Sequence, residues 1–165
     1  MMPILDSRTL EFFSRSAEQT RRLGMRLGSL LEKGDVVWLQ GDLGSGKTTL
    51  VQGIAQGWGS LDPVTSPTFV IVNMYRRPDQ INLYHLDAYR LQDAAEAEDL
   101  DMELMLEQGA LVAEWPERIA AALPATCLKI NMRWIADEQR GLVLLPQGER
   151  YDGLIGDFRR RVLGG

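Results

Sequence analysis

The chain is poor in cysteine and histidine. It has one of each among its 165 residues, Cys127 and His85. A single cysteine cannot form an internal disulfide, which is typical of proteins from a reducing compartment. A single histidine argues against a zinc site, because such sites usually combine several histidine or cysteine ligands. We therefore expect Cys127 to pack in the core and His85 to be a packed residue near the end of a strand.

Long apolar runs are also missing. None approaches the roughly 18 residues of a membrane-spanning helix, and the N-terminus lacks the basic-then-apolar layout of a secretion signal. Both absences favour a cytoplasmic location. The composition, 45% hydrophobic and 25% charged, is ordinary for a globular protein. Residues 1–165 have the size of one domain with one core.

Positive charge is scarce too, since the formal net charge is −5 at pH 7. Proteins that grip nucleic acid through their own surface neutralise phosphates with lysine and arginine. The one dense basic cluster, Arg159 to Arg161, is explained more simply as a helix end whose dipole favours cations. The acidic stretch from Asp93 to Glu107 predicts a solvated helix face that can attract a basic partner.

One glycine-rich segment carries chemistry. Residues 41–48 match G-x-x-x-x-G-K-[ST], the phosphate-binding loop pattern. Its glycines let backbone N–H groups converge on a polyphosphate. Lys47 would reach the β/γ-phosphates and the Thr48 hydroxyl would serve Mg²⁺. The predicted nucleotide contacts are Asp42, Leu43, Gly44, Ser45, Gly46, Lys47, Thr48 and Thr49.

The flanking residues supply the context that this pattern requires. The apolar run Val36 to Leu39 predicts a buried strand directly before the loop. Apolar residues recur at helical spacing after it, and Gly59 is a plausible stop. The alternative is a glycine-rich turn without a ligand, but such a turn does not require Lys-Thr at this place.

Two carboxylates end predicted strands, Asp87 after Ile81 to Leu86 and Glu114 after Ala110 to Ala113. NTPases of this loop type place the Mg²⁺-side acid at the tip of a buried parallel strand beside the loop, and ligands lie beyond the carboxyl ends of parallel strands. Both acids compete for this role, and either could instead cap a helix. Between them and the loop helix, Thr65 to Thr68 could sense the γ-phosphate or be only a loop.

The remaining pattern predicts an α/β protein with a three-layer, P-loop NTPase-like fold and a mixed, largely parallel central sheet. We expect an edge strand at Leu10 to Phe13, a helix from Ser16 to Gly34, and a hairpin of Phe69 to Tyr75 with Ile81 to Asp87. A helix within Asp93 to Glu107 should follow. The chain should close with strands at Cys127 to Trp134 and Gly141 to Leu145 and an amphipathic helix.

Four motifs together closely resemble, in order and spacing, the TsaE family, the bacterial ATPases of tRNA threonylcarbamoyladenosine biosynthesis. They are Gly41 to Leu50, Thr65 to Phe69, His85 to Leu91 and Glu114 to Glu117. The resemblance extends from Ser16 to about Arg140. It implies a domain that binds ATP or ADP with Mg²⁺ and hydrolyses ATP weakly by itself.

The resemblance also implies roles for individual residues. Lys47 and the loop amides would hold the phosphates, and Thr48 and Glu114 would lie on the Mg²⁺ side. Asp87 would serve the metal's water shell or the attacking water. Thr65 and Thr68 would belong to a switch loop, and Trp115 would lie near the nucleotide or the partner surface. The adenine would lie between Ala17 and a late loop near Gln139 and Arg140.

The partners that the resemblance implies are TsaD and TsaB, which transfer threonylcarbamoyl to the adenosine next to the anticodon of ANN-decoding tRNAs. The ATPase would reset this pair and touch tRNA only through the complex. Two alternatives stay open: a small-molecule or nucleotide kinase, and a nucleotide-dependent interaction module with negligible hydrolysis. The arginines after the loop helix are scattered rather than clustered as in a kinase lid.

Overall fold

The computed structural model describes residues 9–42, 44–64 and 72–163. Within these residues it contains seven strands and five α-helices. The strands are β1 (Leu10–Ser14), β2 (Val36–Gln40), β3 (Val72–Tyr75), β4 (Asn82–Asp87), β5 (Gly109–Glu114), β6 (Cys127–Ala136) and β7 (Gln139–Gln147). The helices are α1 (Ala17–Leu30), α2 (Lys47–Trp58), α3 (Ala94–Glu98), α4 (Met102–Gln108) and α5 (Glu149–Leu163). Short 3₁₀ turns lie at Ala88–Arg90, Pro116–Arg118 and Ala120–Ala122.

All seven strands form one sheet in the order β1-β7-β6-β2-β5-β4-β3. The four central strands, β6, β2, β5 and β4, are parallel. The strands at both edges, β1 and β7 on one side and β3 on the other, pair antiparallel. The sheet is therefore mixed with a parallel centre, which confirms the predicted fold class.

Strand β2 lies in the middle of this sheet and is buried on both faces. Val37 and Leu39 pack into the core cluster that also contains residues of α1, α2 and α5. Val36 and Trp38 pack into the second cluster, with residues of α3, α4 and the 3₁₀ turns. Alternate side chains of a strand point to opposite faces, so two helical layers enclose the sheet. The loop of residues 41–46 follows directly from the carboxyl end of this central strand.

Several predicted boundaries are wrong. Helix α1 ends at Leu30 rather than at Gly34. The acidic segment forms two short helices instead of one, because Asp101 has a φ of 53° and interrupts the helical backbone. Gln139 and Arg140 begin β7 instead of lying in a loop, since β6 and β7 pair almost to the turn. Of the strand predicted over 69–75, residues 69–71 lie outside the described part of the chain.

The predicted C-terminal helix is confirmed and is anchored to the beginning of β2. Tyr151, buried in α5, accepts a hydrogen bond from the backbone N–H of Val36 at 2.8 Å. Arg150 donates two hydrogen bonds to the buried Asp35 carboxylate, at 3.0 and 2.7 Å. Cys127 is buried in the core as expected, and burial raises the pKa of its thiol to about 11.

Over residues 9–42, 44–64 and 72–163, no helix combines the length and apolar character needed to cross a membrane.

Candidate functional site

The loop after β2 turns sharply at two glycines with a left-handed backbone conformation, which favours glycine over other residues. Gly44 has a φ of 82° and Gly46 a φ of 99°. A Cβ at Gly44 would meet open space, so the backbone there can be approached closely. A Cβ at Gly46 would lie 3.3 Å from the Met132 side chain and 3.4 Å from Arg140 Nε. The loop is thus exposed at Gly44 and closely packed at Gly46.

Helix α2 begins immediately after this loop without a side-chain cap. Its N-cap is Gly46, which offers no side-chain hydrogen bond, and the first helical bond runs from Leu50 N to Gly46 O. The N–H groups of Lys47, Thr48 and Thr49 have no carbonyl partner within the helix. Together with the helix dipole, such amides form an anion-binding end. The predicted helix after the motif is confirmed, and Gly59 ends it.

Lys47 is buried at the first position of α2. Its Nζ donates to Gly41 O at 2.5 Å and lies 3.9 Å from the centroid of the Trp115 ring. Burial lowers the pKa of Lys47, while the negative charges of Glu114 and Asp87 oppose this shift. Glu117 and Asp42 oppose it more weakly. One cation therefore stands among four carboxylates, an arrangement that suits a divalent ion accompanying a polyphosphate.

The two candidate acids lie side by side at the ends of neighbouring parallel strands. Asp87 on β4 pairs in register with Glu114 on β5, and Glu114 pairs with Leu39 on β2. The phosphate-binding loop motif starts two residues after Leu39. Lys47, Asp87 and Glu114 thus come together at the carboxyl edge of the sheet, as the sequence predicts.

Each acid has its own hydrogen-bond partner. Glu114 accepts a hydrogen bond from His85 Nε2, and His85 Nδ1 lies 3.2 Å from the Tyr75 hydroxyl. Asp87 accepts the backbone N–H of Tyr89 at 3.0 Å and caps the 3₁₀ turn at Ala88–Arg90. The alternative of a capping role is therefore realised for Asp87, which keeps its second oxygen for other contacts.

Trp115 follows Glu114 in a left-handed conformation, with a φ of 56°. This conformation is uncommon outside glycine and turns the chain away from the sheet. The Trp115 ring contacts Lys47 Nζ and also packs against the Tyr89 ring, at a centroid distance of 5.1 Å. Arg118 lies over Tyr89 at 5.1 Å. The aromatic pair forms one wall of the site.

The segments predicted to hold a base meet at the opposite wall. Ser14, three residues before Ala17, pairs with Arg140 across β1 and β7. Next to them lies a cavity of about 500 Å³. Its lining residues are Phe13, Ser14, Arg15, Arg133, Trp134, Ile135 and Gln139. Gln139 thus borders this cavity, whereas Ala17, the first residue of α1, is absent from its lining.

Two buried polar atoms beside the loop lack partners. Ser45 Oγ and Arg140 Nε make no hydrogen bond within the described structure. Arg140 uses its Nη1 to donate to Ala136 O and Gln139 O, both at 2.9 Å. Unsatisfied buried polar groups are rare and call for a ligand, water or other explanation. Both atoms therefore suit a site that receives polar groups of a bound molecule.

Other predicted positions can be placed only in part. Asp42 and Gly44 are exposed in the loop, and Thr48 and Thr49 are partly buried in the first turn of α2. Leu43, Thr65 and Thr68 lie outside the described residues, and so do Ser66 and Pro67 of the expected switch segment.

Two residues connected to this site were not among the predicted site residues: Tyr75 and His85. His85 lies 29 residues before Glu114 in the chain. The sequence predicts that both lie on strands but not which strands are neighbours in the sheet. Alternation within His85-Leu86-Asp87 is the one available signal, because it places His85 and Asp87 on the same face.

The donor set fits Mg²⁺ held jointly with phosphates. Within the described residues, no group of three or more histidine, cysteine, aspartate or glutamate side chains could hold a metal. Protein sites for Mg²⁺ in phosphate-transfer enzymes commonly provide one or two carboxylates and rely on the substrate phosphates and water for the rest. Asp87 and Glu114 supply such oxygens, and Thr48 lies at the adjoining helix end.

Comparison with known proteins gives a consistent family. Residues 14–142 match the family model described as "Threonylcarbamoyl adenosine biosynthesis protein TsaE". The tRNA threonylcarbamoyladenosine biosynthesis protein TsaE of Treponema pallidum is 42% identical over 132 residues, which is 79% of this chain and 96% of that protein. The protein with the same description from Bacillus subtilis is 35% identical over 151 residues, 92% of this chain and 94% of the relative.

One solved structure is similar to this chain over nearly its whole length. The crystal structure of YdiB from Bacillus subtilis superposes with a TM-score of 0.77 at 30% sequence identity. The match covers 93% of this chain and 95% of the YdiB chain.

Proposed function

The chain belongs to the TsaE family of tRNA threonylcarbamoyladenosine biosynthesis proteins, and from this premise we propose that it is a Mg²⁺-dependent P-loop ATPase. The single observation that carries the proposal is the position of Lys47. Its ammonium group donates to Gly41 O of a glycine-rich loop that leads into an uncapped helix, and the carboxylates of Glu114 and Asp87 on adjacent parallel strands are near enough to influence its pKa. An anion-binding helix end beside acids on strand tips is the arrangement that phosphoryl transfer from a nucleotide requires.

The residues divide the work by position. The amides of residues 44–49 and the Lys47 ammonium would bind the phosphates, and Thr48, Asp87 and Glu114 would hold Mg²⁺ directly or through its waters. When bound, Mg²⁺ would neutralise charge on the phosphate oxygens. Glu114, as the more buried acid, would orient the attacking water, and Asp87 would contribute its free oxygen to the water shell.

The base side of the nucleotide would occupy the cavity between β1 and the β6–β7 hairpin. Phe13 and Trp134 line that cavity and are each 59% exposed. Exposed aromatic rings offer stacking surfaces to a base. The unpartnered Arg140 Nε would lie between this cavity and the loop at Gly46.

The proposed partners are TsaD and TsaB, and the proposed setting is the cytoplasm. The chain would couple ATP hydrolysis to the resetting of this pair during modification of the adenosine next to the anticodon of ANN-decoding tRNAs. It would contact tRNA only through the complex. The net charge of −5 supports this division, because it does not favour direct binding to RNA.

Replacement of Lys47 tests the proposal. We expect Lys47→Ala to lose at least about 100-fold in ATP hydrolysis, since a buried cation that serves the phosphates is removed. Lys33→Ala, at an exposed position before β2, is the matched control and should retain activity. Both variants are assayed for ATP binding, for hydrolysis with and without TsaB and TsaD, and for tRNA modification.

The outcomes separate the three functions under consideration. Hydrolysis that rises strongly when TsaB and TsaD are added supports the proposed ATPase. Transfer of phosphate from ATP to a metabolite would identify a kinase instead. Nucleotide binding without hydrolysis, even with both partners, would identify an interaction module. A Lys47→Ala protein that supports full modification would contradict the mechanism.

A further inference from the structure

Three buried polar side chains on three adjacent strands form a hydrogen-bonded row that ends at Glu114. Tyr75 lies on β3, His85 on β4 and Glu114 at the end of β5. In the strand register, Asn73 pairs with His85 and His85 pairs with Val112. Tyr75 and Glu114 are therefore two residues from the partners of His85 and lie on the same face of the sheet. This face is the one on which α2 packs.

The hydrogen bonds of this row run in one direction. An ionised Glu114 can only accept a hydrogen bond, so His85 Nε2 must carry a hydrogen and act as the donor to the carboxylate. In a neutral imidazole Nδ1 then has a free lone pair, which accepts from the Tyr75 hydroxyl. Burial raises the pKa of Tyr75 to about 12, so the hydroxyl keeps its proton. Every polar atom of the imidazole is satisfied without a charge on the ring.

The burial of these groups calls for an explanation beyond packing. His85 is 1% exposed and Tyr75 is 3% exposed, and Tyr75 belongs to the hydrophobic core cluster on this face of the sheet. Burying polar side chains there costs free energy that their hydrogen bonds only offset, so apolar residues of similar size would pack with less penalty. Glu114 has no other hydrogen-bond partner within the described residues. The hydrogen-bonded row therefore serves one evident group, the Glu114 carboxylate.

We propose that His85 is a positioning residue that holds Glu114 Oε2 and so leaves Oε1 as the oxygen presented to the metal-side or attacking water. Tyr75 acts one step further away and keeps His85 in the tautomer that donates from Nε2. This inference rests on the proposed function, because it assigns His85 a role in the same site. Partners of this kind, which orient a group that itself serves a metal, commonly influence metal affinity and activity.

The central test compares two replacements of His85 with different hydrogen-bonding capacity. His85→Phe keeps a ring but removes the donor, whereas the His85→Gln side chain retains an N–H that can reach the same carboxylate. We measure Mn²⁺ binding to the ADP complex by electron paramagnetic resonance, ADP affinity in EDTA, and the kcat and KM of ATP hydrolysis with TsaB and TsaD. Thermal unfolding monitors the fold of each variant.

We expect His85→Phe to lower kcat about 10- to 100-fold and to weaken Mn²⁺ binding about tenfold or more, with ADP affinity in EDTA changed less than about threefold. His85→Gln should recover most of both losses. Addition of His85→Phe to a Glu114→Gln protein should cost little more, because a residue that acts through Glu114 has no effect when that carboxylate is absent.

Tyr75→Phe provides a second test that preserves the ring and its packing. It should weaken Mn²⁺ binding and kcat by about three- to tenfold, less than His85→Phe, since it removes only the outer hydrogen bond. The matched control is Tyr84→Phe, next to His85 on β4. The Tyr84 hydroxyl donates to Gln108 at 2.9 Å and takes no part in the hydrogen-bonded row. Tyr84→Phe should leave both quantities unchanged.

The contrary results are distinct. If wild-type protein binds neither ADP nor Mn²⁺ with ADP, the proposed function fails and this inference with it. If wild-type protein binds both but His85→Phe and Tyr75→Phe match it in Mn²⁺ affinity and kcat, the inference alone fails. It also fails if His85→Gln is as impaired as His85→Phe, because the role would then depend on the shape of the imidazole and not on its donor.

Discussion

At the scale of single residues, Glu114 and Asp87 differ in how firmly they are held. Glu114 is buried and hydrogen-bonded to a buried imidazole, while Asp87 is partly buried and caps a single 3₁₀ turn. A side chain whose position is fixed by buried neighbours can hold a water in one geometry, which chemistry requires. A carboxylate near the surface with one free oxygen is better suited to a metal's water shell.

We therefore expect Glu114→Ala to reduce turnover far more than nucleotide binding. The loss in kcat should be on the order of 100-fold, as for the removal of one group that stabilises or orients the reacting atoms, with ADP affinity changed less than about fivefold. The measurements are single-turnover hydrolysis with TsaB and TsaD and ADP titration. Equal losses in both would contradict a role for Glu114 in chemistry.

Asp87 offers an internal comparison at the neighbouring strand end. Asp87→Asn keeps an oxygen that can cap Tyr89 N–H, whereas Asp87→Ala removes that cap at a cost of about 1 kcal/mol in stability. A difference between these two variants in unfolding but not in activity would separate the capping role from the metal role.

Residue types and strand-end positions were sufficient to predict that Lys47, Asp87 and Glu114 meet at one edge of the sheet, because motif spacing and alternation are local properties. They were not sufficient to predict His85 as a contact of Glu114. That contact depends on β4 and β5 being neighbours in register, although 21 residues separate Asp87 from Gly109 in the chain. Arg140 was misplaced for the same reason, since the pairing of β6 with β7 extends β7 to include it.

At the scale of elements, helices α1 and α2 cross with their backbones in close contact. Gly24 and Gly28 on α1 face Gly53 and Gly57 on α2, and the two backbones approach directly. A Cβ at Gly53 would lie 2.1 Å from Arg21 O, and a Cβ at Gly28 would lie 2.1 Å from Ile54 O. Because α2 begins at Lys47, this crossing also determines where the anion-binding end of the helix lies.

We expect Gly53→Ala to destabilise the protein although it replaces glycine inside a helix. Helix propensity alone would favour alanine by about 1 kcal/mol, but the methyl group must push the α1 backbone away, which costs about 1–3 kcal/mol. The net free energy of unfolding should fall, and ADP affinity should weaken with it. Chemical denaturation and ADP titration provide the measurements.

Gly153→Ala is the matched control for this prediction. Gly153 is exposed in α5, and a Cβ there would meet nothing within 4 Å. The same change should raise stability by about 0.5–1 kcal/mol, because only the helix propensity term remains. If both variants shift stability in the same direction, close approach of the helix backbones does not govern the crossing.

The elements with strong periodicity were predictable and the acidic segment was not. Helices α2 and α5 each bury a regular apolar stripe, so their extent follows from the pattern. Among the side chains of the acidic segment that the structure describes, the buried hydrophobic ones are Ala97, Met102 and Met105. Such sparse burial does not specify whether one helix continues or two are joined, and the left-handed Asp101 breaks the helix there.

At the scale of the whole molecule, the charge distribution decides how the chain can meet tRNA. The net charge is −5, and two arginines of the basic cluster on α5 make contacts within the chain. Arg160 pairs with Asp157 on the same helix, and Arg161 donates to Ser29 Oγ on α1 at 3.3 Å. The prediction that this cluster lies at a helix end is confirmed, because Arg160 and Arg161 belong to the last turn of α5. That the cluster does not contact RNA stays a prediction.

We therefore expect the chain alone to bind labelled tRNA more weakly than about 100 μM at physiological salt, because non-specific binding requires cations that are free to replace counterions. The joint replacement of Arg159, Arg160 and Arg161 by glutamine should leave tRNA modification with TsaB and TsaD unchanged. Fluorescence anisotropy of labelled tRNA measures the first quantity, and modified nucleoside per tRNA measures the second.

Each protein–phosphate contact adds nearly one to the slope of log affinity against log salt. If this chain touches tRNA only through its partners, the slope measured for the TsaB–TsaD pair should stay the same when the chain is added. A steeper slope, lost again in the triple variant, would instead place α5 on the RNA.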